Sequence, residues 1–175
     1  MSLIIQASCP RFIKATELTA TTLSEAVEHS FPLVNESALL IWNYVPIILN
    51  YKYDISVMLD DILDMLASLR GIEYGKKEIH WPSNDFSSIW ILSWGMDTVT
   101  IDAKWSAVLG NTEQLLTSSG EVEMEKQMFL AEWKSILRNI ILALDYSGYS
   151  QNTTINTKKL LFEYEAIKYE GELYR

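Results

Sequence analysis

Residues 86–105 read Phe-Ser-Ser-Ile-Trp-Ile-Leu-Ser-Trp-Gly-Met-Asp-Thr-Val-Thr-Ile-Asp-Ala-Lys-Trp, and this stretch indicates the fold class. The part from Phe86 to Trp94 is nearly all apolar on one side, and the part from Thr98 to Trp105 alternates polar with apolar residues. Gly95-Met96-Asp97 lies between them as a turn. Two such runs are typical of an antiparallel hairpin with one buried face. We expect Val99, Ile101 and Ala103 to face the core, and Thr100, Asp102 and Lys104 to face water.

Further strands are predicted on the N-terminal side of this hairpin. Residues 77–81 are predicted to be a short strand that Pro82-Ser83-Asn84-Asp85 breaks, so they extend the hairpin into a β-meander. Residues 38–42 and 47–49 are rich in large and β-branched side chains and predict a second hairpin, which the Tyr51-Lys52-Tyr53 alternation continues. Residues 3–7 are a possible first strand.

Helical periodicity appears in four other places. A capping box at Thr22-Leu23-Ser24-Glu25 begins a short helix. Two longer segments, at about 56–70 and about 125–147, carry apolar stripes with the 3.6-residue period. Residues of about 157–169 are interpreted as a helix or a strand, whereas residues 110–120 are expected to be a polar loop. The sequence therefore predicts an α+β fold in which residues 1–175 form a single domain, with an antiparallel sheet packed by about three to four helices.

The predicted helix at 56–70 carries a group of acids off its apolar stripe. We expect Asp54 or Ser56 to be its N-cap and Gly71 to end it in the left-handed conformation. Asp60 and Asp64 lie one turn apart and share a face, although like charges at that spacing mildly destabilise a helix.

The overall composition excludes several classes of partner. The chain has 175 residues with 14 basic and 23 acidic side chains, a net charge of −9. Nucleic acids and anionic membranes repel such a chain, so neither is expected as a partner. Cys9 is the single cysteine, the N-terminus lacks the basic region of a signal peptide, and no apolar run is long enough to span a membrane. A cytoplasmic protein is therefore expected.

Most of the excess negative charge lies in one part of the chain. Residues 54–102 hold three basic and nine acidic side chains, a net charge of −6. This segment is either a solvated surface that keeps the protein soluble or a docking face that attracts a basic partner. In the second interpretation the candidate contacts are Asp60, Asp61, Asp64, Glu73, Glu78, Asp97 and Asp102.

The sequence shows no catalytic or metal-binding motif, so no catalytic residue, metal or cofactor is predicted. Glu78 and His80 lie on one strand face and are able to exchange protons, but no nucleophile accompanies them. His29 falls at the end of a helix, where it has a structural role more often than a catalytic one. Cys9 has no neighbouring base that activates it.

The C-terminal half resembles a known class of proteins. The shared elements are Trp94-Gly95, Val99-x-Ile101-x-Ala103-x-Trp105, Gly110, Phe129-Leu130-Ala131-Glu132-Trp133-Lys134 and Ala143-Leu144-Asp145-Tyr146-Ser147-Gly148-Tyr149. Over residues of about 90–150 this pattern is similar to small bacterial immunity proteins of polymorphic and contact-dependent growth inhibition toxin systems. The resemblance implies a cytoplasmic protein that binds a cognate toxin domain, often a nuclease, and blocks it. It implies no fixed set of binding residues, because these proteins diverge at the interface.

The sequence is therefore compatible with three functions. The first is an immunity protein that occludes a basic toxin domain, as a monomer that forms a one-to-one heterodimer. The second is an acidic secretion chaperone or adaptor that binds an effector segment and usually dimerises. The third is an enzyme whose site combines scattered carboxylates with His80.

Overall fold

A computed structural model describes residues 3–32, 36–151 and 155–168. Over these ranges the chain forms seven strands, namely β1 (Leu3–Gln6), β2 (Ser37–Trp42), β3 (Val45–Asn50), β4 (Gly75–Pro82), β5 (Phe86–Trp94), β6 (Thr98–Val108) and β7 (Val122–Glu125). It also forms five α-helices, namely α1 (Leu23–Ser30), α2 (Ser56–Gly71), α3 (Glu113–Ser119), α4 (Lys126–Ser147) and α5 (Lys158–Ala166). The α+β class predicted from the sequence is confirmed.

The strands make two antiparallel sheets, one in the order β1-β2-β3 and the other in the order β4-β5-β6-β7. In the first sheet Trp42 pairs with Val45 across a two-residue turn. The turn residues Asn43 and Tyr44 have positive φ values of 46° and 72°. That combination is typical of the type I′ turn, whose twist matches a hairpin. The hairpin predicted in this region is confirmed.

The second sheet contains the hairpin predicted from residues 86–105. Trp94 pairs with Val99 across the turn, and the pairing extends to Phe86 and Val108 with a register shift at Ser87 and Ser88. Val99 and Ile101 are fully buried, Ala103 is half-buried, and Asp102 and Lys104 are exposed as predicted; Thr100 is half-buried.

The inner faces of both sheets meet α4 in a core rich in tryptophan. Trp42 lies 5.5 Å from Trp90, measured between ring centroids, and so joins the two sheets. Trp81 stacks on Trp133 of α4 at 6.1 Å. Truncating a buried ring of this size costs about 3–5 kcal/mol, so this cluster is a main source of stability.

The sequence interpretation fails at the junction between β3 and α2. Residues Tyr51–Ile55 form a π-helical turn and do not continue the strand. Asn50 causes the change, because its side-chain oxygen accepts hydrogen bonds from the backbone N–H groups of Lys52 (2.8 Å) and Tyr53 (3.2 Å). Asn50 therefore caps the helical segment in the place expected for Asp54 or Ser56.

Glycine ends one of the two long helices as expected, but not the other. Gly148 ends α4 with φ 95°, and its N–H bonds to Leu144 O at 3.1 Å. Gly71 is instead the last residue of α2, and the chain leaves the helix in extended conformation at Ile72, with φ −127°.

One further difference concerns the C-terminal half. The predicted polar loop at 110–120 contains α3, whose one buried residue is Leu116, too little to produce a recognisable helical stripe. Of the two alternatives for the segment at about 157–169, the structure shows the helix, α5, and residue 169 lies outside the described residues. No helix in the described ranges combines the length and apolar character that crossing a bilayer requires.

Candidate protein-binding surfaces

The structure divides the seven predicted acids among three places. Asp60, Asp61 and Asp64 lie on the exposed side of α2. Glu78 and Asp102 lie on the outward face of the four-stranded sheet, where both are paired in register with Ile91. Glu73 and Asp97 lie in the connections at one end of that sheet, the second of them in the β5–β6 turn. All seven are exposed.

The acids of α2 share one helical face with an exposed valine. Val57, which is 51% exposed, lies three, four and seven residues before the three aspartates, and these spacings place all four on one side of the helix. Asp64 Oδ1 forms an ion pair with Lys159 Nζ of α5 at 2.6 Å. This pair offsets the repulsion between Asp60 and Asp64.

A groove lies beside the start of α2. Its volume is about 390 Å³, and its lining comes from two segments, Tyr53 with Val57 on one side and Pro82, Ser83, Asn84 and Asp85 on the other. The π-helical turn places Tyr53 on the outside, where its side chain is 44% exposed. We refer to this groove together with the acids of α2 as the helix surface, defined by Tyr53, Val57, Asp60, Asp61, Asp64 and Asp85.

A buried carboxylate connects the two walls of the groove. Asp54 is only 2% exposed and accepts hydrogen bonds from Asn50 N (2.7 Å) and from the hydroxyl of Ser83. Burial raises the pKa of Asp54 above its ordinary value; the two hydrogen bonds act against that shift, and the nearby charge of Asp85 adds to it. Asp54 thus fastens the β4–β5 turn to the start of α2.

A second acidic surface covers the outward face of the four-stranded sheet. We refer to it as the sheet surface, defined by Lys76, Glu78, His80, Ile89, Ile91, Asp102, Lys104, Glu123 and Glu125. In register across the strands, one row runs from Glu78 through Ile91 to Asp102, and the next runs from His80 through Ile89 to Lys104. Acids, bases and half-buried isoleucines therefore alternate on this face. Glu123 and Glu125 belong to β7, which the sequence interpretation missed because the strand has only four residues.

The helix surface and the sheet surface lie on opposite sides of the four-stranded sheet. Trp94 Nε1 donates to Ile72 O (3.0 Å) and Lys77 Nζ donates to Ser68 Oγ (3.3 Å), so these two residues face α2. Successive residues of a strand point to opposite faces, and Glu78 therefore points away from α2.

The structure also shows the surroundings of the residues that were considered for catalysis. His80 Nε2 lies 2.6 Å from Glu78 Oε1, with the side chains 63% and 55% exposed, so the pair stands in solvent. His29 Nδ1 lies 2.9 Å from the hydroxyl of Tyr149 and holds α1 against the segment after α4. Cys9 is an exposed free thiol. No group of three or more acids, histidines or cysteines suited to a metal ion occurs within the described residues.

The outward face of the three-stranded sheet is apolar and uncharged. Register places Ile4, Ile41 and Pro46 in one row, and Gln6, Leu39 and Ile48 in the next. Ile48 is 46% exposed, and Tyr44 in the neighbouring turn is 90% exposed. A shallow depression of about 490 Å³ lies at this face beside Cys9. Exposed apolar faces of this kind are typical of interaction sites.

Comparisons with protein-family models, with curated proteins and with solved structures return no match for this chain.

Proposed function

We propose that this protein is an immunity protein that binds a basic toxin domain and neutralises it by stoichiometric occlusion, with the helix surface as the interface. The observation that carries the proposal is the single sign of charge on that surface. Asp85 lines a groove with exposed apolar walls, and Asp60 and Asp61 lie on the same face of α2 as Val57, which is one of those walls. Two bases lie close by and both are engaged, Lys159 by Asp64 and Lys52 by the backbone carbonyl of Glu28.

Electrostatics gives this arrangement a physical role. A nuclease domain is basic because it binds phosphates, and a surface of one negative sign accelerates its approach and competes with its nucleic-acid substrate. An interface also needs apolar contact at its centre, which Tyr53 and Val57 supply. The site is cytoplasmic in this proposal, because an immunity protein meets its toxin inside the cell.

The test uses the toxin domain encoded by the gene directly upstream of the gene for this protein. The domain is expressed from an inducible promoter with and without this protein, and growth and complex formation are measured. The proposal predicts growth arrest that this protein reverses and a one-to-one complex by light scattering. An upstream gene that encodes no growth-arresting domain, or a domain that arrests growth equally in both strains, contradicts the proposal.

A secretion chaperone or adaptor is the second candidate, and the apolar face of the three-stranded sheet favours it. Ile48 and Tyr44 on and beside that face suit an apolar segment of an effector. Such chaperones usually dimerise. A dimer in light scattering, together with loss of effector binding in an Ile48→Lys variant, supports this candidate over the first.

A further inference from the structure

The groove at the start of α2 is the part of the helix surface that has a defined shape. Tyr53, Val57 and Pro82 give it apolar walls, and Asp85 supplies an exposed carboxylate. Behind Ser83 lies the second carboxylate, that of the buried Asp54. The groove therefore combines an apolar wall with negative charge at one end, which is the chemistry of a long cationic side chain.

We propose that this groove binds an arginine side chain of the basic partner, with its methylene groups against Tyr53 and Val57 and its guanidinium at Asp85. The inference rests on the proposed function for the identity of the partner, but the groove itself is testable without that partner. The remaining acids of the helix surface then act at longer range, guiding the partner toward the groove.

Arginine fits the groove better than lysine for reasons of geometry and hydration. Its guanidinium is planar, is weakly hydrated, and forms two parallel hydrogen bonds with one carboxylate. It also stacks on aromatic rings, and the ring of Tyr53 already lies 5.8 Å from a cation, Lys52 Nζ. That ammonium is held at the end of α1 by a hydrogen bond to Glu28 O at 2.7 Å.

Apart from Lys52, whose ammonium is engaged by Glu28 O, the charges around the groove favour a cation independently of its shape. Asp85 and Asp54 are close enough for the charge of Asp85 to help raise the pKa of Asp54, so the two carboxylates repel each other. A guanidinium placed at Asp85 offsets that repulsion. Asp60 and Asp61, three and four residues after Val57 on the same helical face, extend the negative field beyond the groove.

The direct test titrates the isolated protein with N-acetyl-arginine amide and records backbone amide chemical shifts by NMR. We expect saturable shifts concentrated at residues 53–57 and 82–85, with affinity on the order of 10 mM. N-acetyl-norleucine amide, which has no charge, is the control probe and is expected to cause no saturable shift there. Asp85→Asn is expected to weaken binding of the arginine probe at least about threefold.

Asp97→Asn is the matched control variant, since it removes one exposed carboxylate from a turn at the other end of the sheet. It is expected to bind the arginine probe like the unmodified chain. Shifts that are absent from the groove, that spread equally over all exposed acids, or that survive Asp85→Asn unchanged overturn the inference.

A second measurement separates this inference from the proposed function. In the complex with the toxin domain, Asp85→Asn is expected to lower affinity about tenfold, and Asp97→Asn less than about twofold. If the toxin is neutralised but Asp85→Asn binds it normally, the groove inference fails while the function stands. If the arginine probe binds but no toxin is neutralised, the function fails while the groove stands.

Discussion

The helix surface and the sheet surface each carry four carboxylates, yet they differ in what lies between those acids. The residues that define the helix surface include no base; the neighbouring Lys159 is engaged by Asp64, and Lys52 Nζ, beside Tyr53, is engaged by Glu28 O. On the sheet surface Lys76 and Lys104 alternate with the acids, and His80 contacts Glu78. Opposite charges at neighbouring positions largely cancel in the field that a partner experiences, and salt screens the remaining field beyond a Debye length of about 8 Å. The number of acids in residues 54–102 therefore does not identify a docking face. The distance of those acids from neighbouring bases is the better indicator.

Among the residues of the two surfaces, the largest effect on stability is expected from Asp54, the buried acid beneath the helix surface. Asp54→Ala leaves the hydroxyl of Ser83 and the N–H of Asn50 without their acceptor, so we expect a loss of about 2 kcal/mol in the free energy of unfolding. Asp102→Ala, on the sheet surface, is the matched control and is expected to change stability by less than about 0.5 kcal/mol. Urea denaturation of both variants measures the difference, and equal losses remove the distinction between the surfaces.

The pH dependence of stability gives a second test of the same acid. The folded-state pKa of Asp54 is raised above its ordinary value of 3.8 mainly by burial, so the folded chain holds this proton more tightly than the unfolded chain. The stability that this proton contributes is complete below pH 3.8 and is lost as the pH rises through the raised folded-state pKa.

The measurement compares unfolding free energies of the unmodified chain and of Asp54→Asn across that pH range. We expect the unmodified chain to lose stability relative to Asp54→Asn as the pH increases. A difference that stays constant with pH, or that changes in the opposite direction, contradicts burial as the dominant influence on Asp54.

Comparing the structure with the sequence predictions shows which parts of the molecule were predictable. The 86–105 hairpin was predictable because a strand with one buried face alternates strictly, and α4 because its wide apolar stripe has the helical period. The groove was not predictable, since its walls come from segments near Tyr53 and near Ser83 that are far apart in sequence and are linked through the hydrogen bond between Ser83 and Asp54.

One signal in the sequence did point toward the groove. Asp54 stands one turn before Met58, a residue of the buried stripe of α2, and an aspartate that continues such an apolar stripe requires hydrogen-bond partners. The positions of the other acids could not be compared before the fold was known. Strand alternation alone did not show that Glu78 points away from α2, because that depends on which face of the sheet the helix covers.

A smaller effect is expected from removing the base beside the helix surface. Lys159→Ala frees Asp64 and makes the surface more negative, so we expect association with the basic toxin domain to be about two to three times faster at low salt. Lys104→Ala changes the net charge equally but on the sheet surface, and a smaller acceleration is expected. Stopped-flow measurement of both variants tests this, and the reverse order of rates argues for the sheet surface as the interface.

The smallest effect is expected from the exposed pair on the sheet surface. His80→Ala removes the contact with Glu78. Because both side chains are more than half exposed, stability should change by no more than about 0.5 kcal/mol. Thermal unfolding measures this change. A loss above about 2 kcal/mol shows that the sheet surface is more tightly organised than its exposure indicates.

The most direct test of the central claim compares two charge-reversed chains in their affinity for the toxin domain at about 150 mM salt. Asp60→Lys with Asp61→Lys changes the helix surface, and Glu78→Lys with Asp102→Lys changes the sheet surface by the same net charge. Asp64 is left intact because of its pair with Lys159. We predict that the first chain loses at least about a hundredfold in affinity and the second less than about threefold. Normal binding by the first chain, or an equal or greater loss in the second, contradicts the claim that the helix surface is the interface.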